Sequence, residues 1–93
     1  TNSGTATIAN AEDELENNAT MKLTGKTYKK NVTNNKTMEV KGESTFEALL
    51  TNNKNAEITF NAVTTCKGKF TNFGKATMKA NVTVSSEKKA KML

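Results

Sequence analysis

Few residues in this chain are equipped for chemistry. It has no His and one Cys, Cys66. No zinc site of the usual Cys and His type, no Cys-His pair and no Ser-His-Asp triad can be assembled from such a set. The one acidic cluster, Glu12, Asp13, Glu14 and Glu16, lacks the ligand spacing of a calcium loop. It reads as a solvated acidic end, or else as a docking surface for a basic partner. All fourteen basic residues are Lys, so the bidentate Arg chemistry that reads guanine or phosphate is absent. No Gly-rich phosphate loop occurs. The expectation is no enzymatic activity, no metal and no cofactor. Cys66 has two readings: a small buried hydrophobe, or a cross-link between subunits.

The side chains that recur with a fixed spacing are amides. An apolar residue, then Thr or Glu, then Asn closes a short phrase four times: Leu15-Glu16-Asn17, Val32-Thr33-Asn34, Leu50-Thr51-Asn52 and Phe70-Thr71-Asn72. The closing Asn residues are 17, 18 and 20 positions apart. Alternating apolar pairs follow each one: Met21/Leu23, Met38/Val40, Ile58/Phe60 and Met78/Ala80. Two independent markers keep nearly one period, which is the mark of a repeat architecture. Residues one period apart then stack. Asn17, Asn34, Asn52 and Asn72 form a ladder of amides that bond along the stack axis. Met21, Met38, Ile58 and Met78 form an inward column.

The elements that hold such columns must be strands. Apolar and polar residues alternate in each copy, the period of a strand with one buried face, and bends fall at Asn or Gly. Apolar residues make up 34% of the 93 residues, thin for a central core at this size. A solenoid avoids the problem because each coil buries its inward side chains against the next. The expected fold is all-β: a short right-handed parallel β-helix of about five coils, 17 to 20 residues each. The alternative is an antiparallel β-sandwich of the pilin or adhesin type. One β-repeat domain spans 1–93. Residues 1–16 form an atypical first coil or cap, with one or two helical turns over 10–16 as the alternative. Residues 85–93 form a basic C-terminal cap or tail.

The segments Gly74 to Val84, Asn55 to Val63 and Lys67 to Asn72 resemble bactofilins and related polymer-forming β-helix proteins of bacteria. The resemblance lies in style, not in a motif: short coils, small or branched inward residues, Gly or Asn at the bends. It covers residues 17–84. This chain is richer in Thr, Asn and Met than that family and poorer in Gly and Val. The resemblance implies a non-enzymatic subunit that polymerises end to end.

Charge gives that expectation a direction. Residues 1–18 carry four acidic groups and no Lys, whereas residues 66–93 carry seven Lys and one Glu. Opposite ends favour head-to-tail joining, and a heterologous contact that does not close yields an open filament. The residues expected at the joint are Ala6, Ile8 and Leu15 on the first coil and Val82 and Val84 on the last, with Phe73 as a further contact. The alternative is a pilin or adhesin-type subunit that donates its N-terminal strand, residues 1–9, to a neighbour. The partner is a second copy of the chain. Specific nucleic-acid readout is not expected. The Lys-rich C-terminal end suits peripheral contact with a membrane surface or a polyanion. No apolar run reaches the ~20 residues that span a bilayer. The chain starts at Thr1, as a processed exported chain or a trimmed one does. With its Thr- and Asn-rich surface, this leads to an extracellular or cell-surface placement, a cytoplasmic cytoskeletal one being the alternative. Glycosylation sequons at Asn18, Asn31, Asn35 and Asn81 carry little weight in a chain so rich in Asn and Thr.

Overall fold

A computed structural model describes residues 1–84 of the chain; the expected cap or tail at 85–93 lies outside the described residues. Thirteen short strands follow in order: β1 (Thr5–Ile8), β2 (Leu15–Asn17), β3 (Thr20–Leu23), β4 (Lys26–Tyr28), β5 (Val32–Asn34), β6 (Thr37–Val40), β7 (Ser44–Phe46), β8 (Leu49–Asn52), β9 (Glu57–Phe60), β10 (Thr64–Cys66), β11 (Lys69–Asn72), β12 (Lys75–Met78) and β13 (Val82–Val84). Every third strand joins the same sheet. The walls are β1-β3-β6-β9-β12, β4-β7-β10-β13 and β2-β5-β8-β11, and every pairing is parallel. The chain is a three-walled parallel β-solenoid. An antiparallel sandwich is excluded by the direction of every pair.

Strands this short form because the sequence alternates and then bends. The interior strands point most apolar positions and the Asn positions inward, joined by Ser44 on β7 and Thr64 on β10, and their remaining Thr, Lys and Glu positions outward. The interior holds Met21, Leu23, Tyr28, Val32, Met38, Val40, Phe46, Leu50, Ile58, Phe60, Cys66 and Phe70, all at most 2% exposed. Tyr28 stacks on Phe46 with ring centroids 5.0 Å apart. Phe60 meets Phe70 edge to face at 5.6 Å. The Tyr28 hydroxyl donates to the Gly25 carbonyl at 2.8 Å and lies 3.2 Å from that of Ile8, so the one phenol in the core has its polar end paired. Burial, the largest influence, pushes its pKa up, against the opposing effect of the Gly25 carbonyl.

The solenoid makes about four turns, and their lengths are unequal. Asn2 bridges to Asn17, and Ala11 to Tyr28. The Asn positions then follow at separations of 15, 17, 18 and 20 residues. The first turn is thus shorter than the 17 to 20 expected, and each wall counts five levels, with Asn2 and Ala11 supplying the first level of two walls. Ala11 sits against Tyr28 in the strand register, so residues 10–16 continue the solenoid and do not form a helix.

Turn-to-turn spacing demands Gly at one corner in particular. Gly25 adopts a φ of 131°, in the region that disfavours side chains. One turn later, a Cβ on Gly42 would fall on the carbonyl oxygen of Thr24, with the Cα of Gly25 3.2 Å away. Both neighbours are backbone and yield only if the turns separate. Gly42→Ala is expected to destabilise the fold by about 1–3 kcal/mol, the usual range for forcing atoms into a packed site; a fall in the denaturant midpoint with the slope unchanged checks it.

Candidate functional site

The most ordered polar feature runs the length of the solenoid. The Asn2 Nδ2 donates to Asn17 Oδ1 at 2.8 Å, Asn17 to Asn34 at 2.8 Å, Asn34 to Asn52 at 2.7 Å and Asn52 to Asn72 at 2.8 Å. Asn17, Asn34, Asn52 and Asn72 are at most 1% exposed. Each amide also holds backbone. Asn17 Nδ2 lies 2.9 Å from its own corner at Ala19 O and 2.7 Å from the next turn at Thr37 O. Asn34 repeats the second contact with Glu57 O at 2.8 Å, and Asn52 with Lys75 O at 3.0 Å. Primary amides suit the corner because one side chain offers both a donor and an acceptor along the axis. A second, outer ladder links Asn18, Asn35 and Asn53. Phe73 occupies the next position of that row and is 56% exposed.

The inward column expected from sequence needs one correction. Met21, Met38 and Ile58 stack, but the residue on Ile58 is Ala76, and Met78 sits on Phe60. Ala80 therefore does not belong to the Leu23, Val40, Phe60 column. The corner between Asn52 and Glu57 is two residues longer than the one between Asn72 and Lys75, with Asn55 at a φ of 68°. The insertion shifts the register by two. Met78 still lies on the inward-facing register of its strand, one step further along, and is 38% exposed at the open end.

The ends are where the structure is unfinished. At the first face, β1 has no partner on its outer side among the described residues, and Ala6, Ile8, Ala11 and Leu15 are only half-buried. At the last face, the outer sides of β12 and β13 are likewise unpaired among the described residues, and Ala76, Val82 and Val84 are half-buried. Interior residues of the same columns are sealed by turns on both sides. Among the described residues these half-buried face residues lack one of those turns, whereas Phe70 and Asn72, on the last strand of the third wall, are at most 1% exposed. Glu12, Asp13, Glu14 and Glu16 lie between the first and second levels, where Glu12 sits 3.5 Å from Lys29 in an exposed pair. Lys67, Lys69, Lys75 and Lys79 lie around the last two levels.

Of the residues expected at the joint, Ala6, Ile8, Val82 and Val84 lie on the end levels, and Leu15 lies beneath the first face with no residue stacked over it. Asn2 escaped the reading from sequence. Its corner, Asn2-Ser3-Gly4-Thr5, matches Asn72-Phe73-Gly74-Lys75 in length, but Ser3 breaks the Asn doublet and the 15-residue first turn falls outside the period.

Cys66 is fully buried between Phe46 and Val84 in its column. Burial pushes its thiol up to about 12. A thiol in that position is shielded from a second chain while the last turn is in place. Two results follow. A thiol reagent at neutral pH is expected to label the folded protein far more slowly than the denatured chain, since the thiolate is the nucleophile. The raised pKa also means the unfolded chain loses this proton first, from the ordinary value of 9.0. That contribution to stability is intact below this value and fades as pH rises from there toward 12. A Cys66→Val variant is expected to lose part of the alkaline decline in melting temperature.

Among the described residues, no helix is long and apolar enough to cross a membrane. No family model, curated protein or solved structure matches this chain.

Proposed function

We propose that this chain is a non-enzymatic structural subunit that joins head to tail into a filament. The observation that carries the reading is the pair of end faces. Each ends a set of continuous inward columns, each leaves a strand edge unpaired among the described residues, and the regions around them differ in charge. Exposed strand edges pair with other chains unless something blocks them. A copy whose first face meets the last face of another continues the walls that end in β12 and β13 with parallel strands, the geometry already used within the chain. The two faces are different surfaces, so the contact is heterologous and does not close on itself.

Backbone pairing and burial of half-exposed apolar columns supply most of the attraction. The charge difference helps to orient the encounter and weakens with salt, because exposed charges are screened over about 8–10 Å at ordinary ionic strength. The resemblance to polymer-forming β-helix proteins supports the same reading, as does the scarcity of chemically active side chains. The N-terminal strand favours stacking over strand donation, since Thr5–Ile8 is already paired with Thr20–Leu23 of its own chain. Placement outside the cell or at its surface is part of the proposal.

The test is Val84→Glu. Val84 is half-buried on the last face, stacked over Cys66. A carboxylate there has to lose its hydration when a second copy covers it, which disfavours the joint strongly. The expected result is a folded, monomeric variant under conditions where the parent chain sediments as polymer. Filaments of the variant equal to those of the parent would rule out this face as the joint.

A further inference from the structure

One corner of the solenoid carries a charge pattern that the other two lack. Among the described residues the chain turns four times from the β4-β7-β10-β13 wall into the β2-β5-β8-β11 wall. Each passage has three residues between one inward side chain and the next: 12–14, 29–31, 47–49 and 67–69. Equal lengths let the passages stack in register, as Lys69 does on Leu49. The first holds Glu12, Asp13 and Glu14, the second Lys29 and Lys30, the third Glu47, and the fourth Lys67 and Lys69. Along the axis the charge therefore runs −3, +2, −1, +2, and all eight of these side chains are exposed. Neither other corner alternates. The one that follows the Asn ladder holds Lys36 and Lys54 and no acid, and the one leading from β6 to β7 holds Lys41 and Glu43 in a single passage.

Within one chain the alternation draws neighbouring passages together. Among the described residues, however, only Glu12 and Lys29 come within ion-pair distance, at 3.5 Å, and their side chains stay 67% and 51% exposed. The strip is left largely open to solvent. From this we infer that it pairs with the same strip of a second copy, side by side and in opposite directions. An alternating row with an even number of members is complementary to itself when reversed and repels itself when not. Consider two copies related by a two-fold axis that passes between the second and third passages. Glu12 then faces Lys67 of the second copy, Lys29 faces Glu47, and Glu14 faces Lys69. The contact is isologous, each pair occurring twice. Leu49, 36% exposed in the third passage, lies beside that axis and is covered. Copies side by side in the same direction set every passage against its like, which suppresses that arrangement.

This contact runs along the side of the solenoid and does not rest on the filament reading. Exposed ion pairs contribute little singly and are screened by salt, so two single copies hold weakly. Where copies are joined end to end, the strip recurs with every subunit, and the filaments associate in antiparallel pairs through many weak contacts.

Mixed cysteine variants test the orientation. Glu14 and Lys69 lie three passages apart, about 14 Å at ~4.8 Å per turn, too far for a disulfide within one copy. In a Cys66→Val background, Glu14→Cys mixed with Lys69→Cys is expected to give a disulfide-linked heterodimer at low ionic strength. Neither variant alone is expected to link to itself, and high salt should suppress the product. Charge exchange tests the cause. Glu47→Lys alone and Lys29→Glu alone are each expected to raise the concentration at which copies pair about 10-fold, since two facing pairs become repulsive in every dimer. The double exchange is expected to restore the parent's value, because positions 12, 29, 47 and 67 then read −, −, +, + and still match their own reverse. Sedimentation velocity at low salt reads the pairing, and circular dichroism checks the fold.

The outcomes are distinct. If Glu14→Cys links to itself, the copies lie in another orientation and the proposal falls. If the mixture gives no linked product at low salt, the strip is not a contact. If the double exchange pairs no better than the single variants, charge does not hold the strip together. Should an exchange variant not fold, the cysteine mixture still decides. None of these failures touches the end-to-end joint: a parent that polymerises without lateral pairs keeps the filament reading, and a parent that never polymerises is still expected to pair through the strip.

Discussion

Asn34→Asp is expected to cost about 3–5 kcal/mol of stability at neutral pH, a large fraction of the 5–15 kcal/mol typical of whole domains. The substitution barely changes shape. It replaces an NH2 that faces Asn52 Oδ1 at 2.7 Å and Glu57 O at 2.8 Å with an oxygen. Two close donor–acceptor contacts become contacts between acceptors, and a charge is placed where Asn34 is fully buried. The oxygen that accepts from Asn17 is kept, so the loss comes from the missing donor and the buried charge and not from a change of size. Burial and the facing carbonyls raise the pKa of the new carboxyl above the ~3.9 of a free Asp. The sign then follows: the folded variant holds its proton longer than the unfolded one, so it regains stability as pH falls through that raised value. Denaturant melts at pH 7 and pH 4.5 check both parts. A variant as stable as the parent at pH 7 would mean the amides do not support the walls.

Phe60→Ala should be comparably damaging, at about 3–5 kcal/mol, the usual loss for emptying a buried aromatic site. Phe60 fills the interior from β9, edge on to Phe70 of β11, between Val40 below and Met78 above. A solenoid this narrow has little freedom to close the cavity, since the backbone of each wall is held in register by the turns on either side. Met78 is partly exposed and flexible, and is the side chain best able to sag into the space. Phe60→Leu is accordingly expected to lose less than half as much. Thermal melts of the two variants give the comparison, and equal losses would show that the lost aromatic contact, not the size of the cavity, sets the cost.

What the sequence makes legible here, and what it hides, have one physical cause. Inward and outward positions alternate with period two, so an insertion of two residues leaves the alternation intact. The ladder positions Asn17, Asn34, Asn52 and Asn72 can be read by eye because each closes its phrase. The added pair in the corner before Glu57 cannot, and it carried Met78 from the expected column to the neighbouring one. A one-residue insertion would have turned Met78 outward and betrayed itself. Asn2 was hidden for a related reason: it needs no apolar phrase before it, because no strand precedes it in the described chain. The aromatic stack of Tyr28 on Phe46 was equally silent. Both residues follow short corners whose lengths differ, and neither belongs to the repeated phrase. The helical alternative for residues 10–16 rested on local preference, which the strand register of Ala11 with Tyr28 and Leu15 with Val32 overrides.

The central claim is that one stack passes from copy to copy without changing its geometry, and it gives a definite axial repeat. The described residues of each chain contribute five levels to every wall, and at the ~4.8 Å spacing of paired strands that is a rise of about 24 Å per subunit. Electron imaging of the purified chain measures this directly. The account predicts filaments with a subunit rise near that value and the strand spacing running along the axis. Separate 10.1 kDa particles at every concentration, or filaments whose strands lie along the axis instead of across it, would contradict it.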